Sequence, residues 1–332
     1  MAATIWTSAG GTETISNAVN GVSFQPDFLW MKNRSIVQNH YLVDSNRGTS
    51  KVLVSNTTSA ETTDATFVTA FNSNGFSLGS GGFGATQAIV GWQWKAGGTA
   101  VTNTTGTISS QVSANPTAGF SVVTYTGNAT GGATVGHGLG VAPSMMIVKR
   151  RESTDDWRVY HISFGATQYM DLNNTTAAAT TIVIWNNTAP TSSVFSVGTS
   201  NSVNASGGTY VAYCFAPVAG YSAFGSYTGT GSADGPFVYL GFRPRFLLVK
   251  AYSSGSTERW LIWDSSRDTY NIVSSDLVPN TTAAEGGAGA ALDFVSNGFK
   301  IRSAASSAFN YNGYSYIYMA FAEAPFKYSS AR

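Results

Sequence analysis

Three histidines, one cysteine and a thin scatter of carboxylates are the groups in this chain that could do chemistry, and their spacing fits no hydrolytic or metal-dependent reaction. His40, His137 and His161 form no His-x-x-x-His or His-Glu-x-x-His pair, so a zinc hydrolase is not expected. The single Cys214 allows no internal disulfide and no cysteine-based zinc site. It lies in an apolar strand and reads as a small hydrophobe. Calcium needs clustered carboxylate oxygens, and Asp155-Asp156 is the sole adjacent acidic pair. Glycoside hydrolysis needs two facing carboxylates, but Asp155, Asp156, Glu258, Asp264 and Glu285 share no motif. Gly79-Ser-Gly-Gly-Phe-Gly84 has the glycines of a phosphate cradle without a following helix to supply a dipole. It reads as a hairpin loop. His137, in Gly136-His-Gly-Leu-Gly140, reads as a turn histidine bonded to backbone. His40 and His161, in matching strand regions one residue out of register, read as structural. No catalytic residue, metal or cofactor is expected.

One polar element repeats. Asp44-Ser-Asn-Arg47 matches Asp264-Ser-Ser-Arg267. An Asp that opens a turn closes it through its own side chain, and the Arg three residues on can bridge to the carboxylate. The middle of the chain has Phe164-Gly-Ala-Thr167 in that place and loses both groups.

The elements that position these groups occur three times. Phe24-Gln-Pro26-Asp-Phe28-Leu-Trp30, Val141-Ala-Pro143-Ser-Met145-Met-Ile147 and Phe242-Arg-Pro244-Arg-Phe246-Leu-Leu248 open three copies of one pattern. Each is followed, in order, by a second strand, an Asn-Thr-Thr at Asn56, Asn174 or Asn280, a Phe-centred strand, and a last strand of alternating large residues. The period is far longer than the roughly 20–50 residues of a solenoid, so each copy is domain-sized. The expected fold is all-β: tandem antiparallel β-sandwich (jelly-roll-like) domains in three internal repeats, at 1–110, 111–217 and 218–332. Gly97 to Gln111 and Ala216 to Gly220 read as linkers, and the glycine-broken stretch from Thr281 to Leu292 as a loop. Copies two and three begin with an extra strand, Gly119 to Gly127 and Gly220 to Gly229; copy one has only the short segment 1–20 there and reads as shortened.

Two strand types can be told apart. The proline-led runs are continuously apolar, as in a strand covered on both faces. In the last strands the large residues alternate: Val90, Trp92, Trp94; Val211, Tyr213, Phe215; Ile317, Met319, Phe321. That set is expected to be core, with the small residues between them packed on another layer, such as a neighbouring domain.

Charged residues are 11% and net charge is +1. Phosphate neutralisation needs clustered Lys and Arg, and Lys149-Arg150-Arg151 is compensated by nearby Glu152, Asp155 and Asp156. Nucleic acid is not an expected partner. No apolar run approaches a membrane span, so no membrane insertion is expected. Met1-Ala-Ala-Thr-Ile-Trp6 has no basic n-region, so no secretory signal is expected.

Thr134-Val-Gly-His-Gly-Leu-Gly-Val-Ala-Pro-Ser-Met-Met-Ile-Val-Lys149, Pro26-Asp-Phe-Leu-Trp-Met-Lys-Asn-Arg-Ser35 and Gly91-Trp-Gln-Trp-Lys-Ala-Gly-Gly98 resemble a β-rich module of tailed-bacteriophage tail-fibre and other virion structural proteins. The resemblance implies a non-enzymatic virion protein, made in the bacterial host cytoplasm and engaged in tail-fibre or host-surface contact. It also implies other virion proteins as partners, a homotrimer, and host cell-surface glycan as a possible receptor. The alternatives are a capsid decoration or adaptor protein, and a polysaccharide depolymerase. Receptor contact is expected in loops, through aromatic faces of Tyr311, Tyr314 and Phe83.

Overall fold

Each proline-led run becomes a strand in the middle of a sheet. Phe28–Asn33, Met145–Arg150 and Pro244–Ala251 pair antiparallel with a last strand on one side and a second strand on the other. The last strands are Ala88–Trp94, Thr209–Phe215 and Ser315–Ala322. The second strands are His40–Asp44, Arg158–His161 and Leu261–Asp264. The register sets Phe28, Met145 and Phe246 opposite Trp94, Phe215 and Phe321. Pro26, Pro143 and Pro244 therefore stand at one equivalent point. The computed structural model describes residues 1–324 apart from 19–22, 254, 256, 288, 290, 305 and 306. The end of the third expected repeat, 325–332, lies outside the described residues.

A first strand borders the last one in all three repeats: Ala2–Thr7, Phe120–Thr126 and Ser222–Thr228. Copy one is thus not missing this strand. Its Ala-Ala-Thr-Ile-Trp-Thr simply lacks the glycine–aromatic–serine opening of the other two. A small sheet covers each large one: Glu13–Ser16 with Gly75–Leu78 and Val68–Asn72; Ala133–Gly136 with Val194–Val197; Phe237–Tyr239 with Gly298–Ile301 and Leu292–Val295. The chain is all-β and sandwich-like, and among the described residues no sheet closes into a barrel. Gly97 to Gln111 is more than a linker. It contributes Val101–Asn103, which with Ser110–Asn115 adds a hairpin to the second sheet alone.

The two faces of the last strands are assigned differently from the alternation argument. Val90, Trp92 and Trp94, with their counterparts in the other repeats, are buried, but not inside their own sandwiches. They form one core common to all three repeats, with Phe28, Phe120, Met145, Phe246 and Trp260. The small set faces the repeat's own small sheet: Ala212 and Cys214 join the second repeat's core, and Ala320 the third's. Small residues there let the two layers of a sandwich approach, while the bulky rings fill the wider space between repeats. Trp94, Phe215 and Phe321, at equivalent positions, meet as a triangle with centroid separations of 6.1, 5.8 and 6.1 Å.

The repeats close into a ring. Tyr213 of the second repeat donates to Asp44 of the first at 2.8 Å. His161 of the second bonds the Tyr318 carbonyl of the third at 3.2 Å. Trp92 of the first donates to Asp264 of the third at 3.0 Å. A string of domains would have two such seams. The third seam, between first and last repeats, makes the arrangement pseudo-threefold.

Candidate functional site

The repeated polar residues all sit in the seams. Asp44 takes the backbone N–H and side chain of Arg47, and Asp264 those of Arg267. Both ion pairs are fully buried, so the expected turn closure is present and also serves as an inter-repeat lock. Arg47 reaches Glu61 at 2.9 Å, which Arg151 of the second repeat also grips at 2.9 Å. Arg267, Glu285 and Arg34 repeat this between third and first repeats.

The register corrects two matches drawn from sequence. Asp44 and Asp264 are equivalent to His161, and His40 to Trp157 and Trp260, as their places in the pairing show. The middle repeat therefore replaces an Asp–Arg pair by His161 and Phe164. The Asn that receives the N–H of His40, Trp157 or Trp260 is Asn56, Asn173 or Asn280 respectively, not Asn174. The segments after these asparagines receive buried lysines: Lys149 donates to Thr58 O, Lys250 to Thr175 O and Thr176 O, Lys32 to Thr282 O. Each lysine crosses to the preceding repeat around the ring.

The histidines are committed to structure. In each, one ring nitrogen accepts: His40 from the Trp30 indole, His137 from Leu139 N–H, His161 from Ser163 N–H. In two of them the other faces a backbone carbonyl, of Thr191 for His137 and of Tyr318 for His161. Burial holds His161 near 4, His40 well below its usual range, and His137 lower than usual. Burial pushes the Cys214 thiol up to about 12, which makes it a poor nucleophile.

These shifts fix the sign of a pH dependence. Histidines that stay neutral when folded take up protons near 6.5 when unfolded, so the unfolded state binds more protons and stability falls as pH drops below about 6.5. The buried Met1 amino group, held near 5, adds loss of the same sign below about 8. The raised carboxyls of Asp27, Asp171 and Asp276 oppose this only in the carboxylate range. Lys32, Lys149 and Lys250, each lowered by burial to about 8, lose protons in the folded state first. Stability therefore rises from about pH 8 toward the unfolded lysine value near 10.4. Denaturant midpoints are expected to increase from pH 4 to about pH 9, above which the Cys214 thiol and buried tyrosines such as Tyr125 and Tyr213, which keep their protons when folded, oppose the lysines. A maximum near neutrality followed by a fall at pH 9 would contradict the buried-lysine seams.

The expected receptor residues separate. Tyr311 is 46% exposed, and its ring lies 4.6 Å from that of half-buried Tyr314. They flank a turn in which Gly313 has φ +81°. Tyr314 O and Gly313 N–H both bond Gly229, which fixes the pair at the end of the third sandwich. Phe83 is only 3% exposed and packs on Trp6, Tyr41 and Phe67, so it presents no ring to a receptor. Its loop folds inward through Gly79 N–H to Phe67 O and Gly81 N–H to Thr66 O; glycine content alone does not reveal that direction.

Two exposed aromatics escape the loop-based search because they lie on a strand. Phe237 is 48% and Tyr239 68% exposed, on either side of buried Val238. The pairing gives Thr14 and Ser16 as their counterparts in the first repeat, Thr134 and Gly136 in the second. The aromatic pair is particular to the third repeat.

Residues 3–325 match the family described as "Domain of unknown function (DUF7483)". The chain belongs to this family. No curated protein and no solved structure matches it. The DUF7483 span takes in all three repeats, so the family's unit corresponds to the closed ring rather than to one sandwich.

Proposed function

We propose that this DUF7483 protein is a non-enzymatic structural component of a bacteriophage virion, part of a tail fibre or another host-contacting assembly. The observation that carries the reading is the use of the repeated polar motifs: Asp44–Arg47, Asp264–Arg267 and the three buried lysines all join one repeat to the next. Such a chain is a rigid block whose chemistry is spent on holding its own shape. The resemblance of its motifs to virion modules supplies the setting. A homotrimer of this block would form through the small sheets, because both faces of the large sheets are covered within the chain. The pseudo-threefold ring also suits a capsid decoration or adaptor at a site of threefold symmetry.

Within this reading, host contact falls on the third repeat, which carries the exposed rings of Tyr311, Phe237 and Tyr239 and the half-buried Tyr314 beside Tyr311. Replacing Tyr311 and Tyr314 together by Ala is expected to leave assembly intact and slow particle adsorption to host cells about tenfold, the effect of losing roughly 1.4 kcal/mol of contact. Adsorption at the wild-type rate would remove these residues from the contact surface. Immunogold labelling of purified particles tests the setting itself: label on the virion supports the proposal, and its absence from particles rejects it.

A further inference from the structure

One of the places where the ring departs from its own symmetry also forms a pocket. The hairpin of Val101–Asn103 and Ser110–Asn115 pairs onto Phe120–Thr126, whereas the corresponding strands Ala2–Thr7 and Ser222–Thr228 are left as sheet edges. The first repeat reaches over to hold this hairpin: Asn46 Nδ2 donates to Gln111 O at 3.3 Å and to Val122 O at 2.8 Å. Beside this seam lies a pocket of about 230 Å³, lined by Ser109, Gln111, Thr124, Thr126, Arg151 and Thr209 among others. Its volume equals that of about eight waters at roughly 30 Å³ each, enough for one sugar ring.

The lining chemistry narrows the ligand. Hydroxyls and a carboxamide dominate, so an apolar ligand would strand them without partners. Arg151 supplies a cation, but its Nε and Nη2 hold Glu61 at 2.9 and 3.0 Å. Glu61 is shared with Arg47, and Arg47 with Asp44. Two cations and two anions sum to zero, so no net charge draws a phosphate or a sugar acid. Thr209 Oγ1 donates to Glu152 and keeps its lone pairs for an incoming hydroxyl. Gln111 donates to Thr102 at 3.0 Å through one of its two amide hydrogens and retains its carbonyl as an acceptor.

We propose that this pocket, at the seam of the first and second repeats, binds a neutral pyranose. The proposal is independent of where on a particle the protein sits, and the site is distinct from the exposed aromatics of the third repeat. The probes are the methyl glycosides of glucose, galactose, mannose and N-acetylglucosamine, with glucuronate as the anionic control. Saturation-transfer NMR on the full chain is expected to show at least one neutral glycoside bound in the millimolar range. Gln111 and Thr126 are exposed, so Gln111→Ala and Thr126→Tyr should leave Tm unchanged. Thr126→Tyr fills the pocket and should abolish the signal, and Gln111→Ala should weaken binding several-fold. The Phe237→Ala, Tyr239→Ala double variant should bind as the parent does. No signal from any neutral glycoside, a preference for glucuronate, or binding that survives Gln111→Ala but not the aromatic double variant would each overturn the proposal.

Discussion

Replacing Trp94 by Ala lowers the free energy of unfolding by about 3–5 kcal/mol, the range for deleting a large buried aromatic. The ring is 1% exposed and touches aromatics of all three repeats: Phe28 at 5.3 Å, Phe215 at 6.1 Å, Phe246 at 5.5 Å and Phe321 at 5.8 Å. The cavity would open where three sheets meet, and strands fixed by two seams cannot easily collapse to fill it. Trp94→Phe separates packing from hydrogen bonding. The Trp94 indole N–H is buried without a partner among the described residues, so losing it removes an unsatisfied donor. Phe should cost much less than Ala. Tyr270→Ala, at a side chain 84% exposed, should stay within about 0.5 kcal/mol of the parent. Equilibrium denaturation with unchanged m-values checks all three. A Trp94→Ala loss no larger than that of Tyr270→Ala would refute the shared core.

Asp264→Ala is expected to be as damaging, for an electrostatic reason. Its Oδ2 accepts from Arg267 Nε and from Trp92 Nε1 of the first repeat, and its Oδ1 from the Ser266 and Arg267 N–H groups at 3.0 and 2.9 Å. Deleting the carboxylate leaves a guanidinium buried with only Glu285 to balance it. Breaking one partner out of a buried pair costs about 3–5 kcal/mol. Asp264→Asn keeps an oxygen for these donors and should lose less. Asp44→Ala removes the same lock from the first seam and should match Asp264→Ala. Similar stability for Asp264→Ala and the parent would mean that the lock contributes nothing to ring closure.

The strands were legible in the sequence because their patterning is local. The continuous run at Met145 to Val148 predicts a strand covered on both faces, and it is buried on both. The alternation at Val211 to Phe215 correctly marks the large set as core. It could not say which layer each face meets, since period two reports two environments and here both are buried. Ring closure depends on contacts between residues more than 150 positions apart, such as Trp92 with Asp264, and no local signal encodes them. The mismatch at His161 arose for a related reason: that residue keeps the position of Asp44 and Asp264 while changing its chemistry, so only the strand register exposes the equivalence. The inward fold of the Phe83 loop and the pocket beside Gln111 were hidden likewise, because both are set by where a loop or hairpin docks.

Native-state hydrogen exchange across a denaturant series tests the ring most directly. Sandwiches with separate cores would lose amide protection in separate steps, the usual behaviour of multidomain chains. With one core common to three repeats, strands Phe28–Asn33, Met145–Arg150 and Pro244–Ala251 should lose protection together, at one denaturant concentration, and Trp94→Ala should shift all three by the same amount. Three resolved transitions, with Trp94→Ala moving only that of the first repeat, would contradict the closed ring.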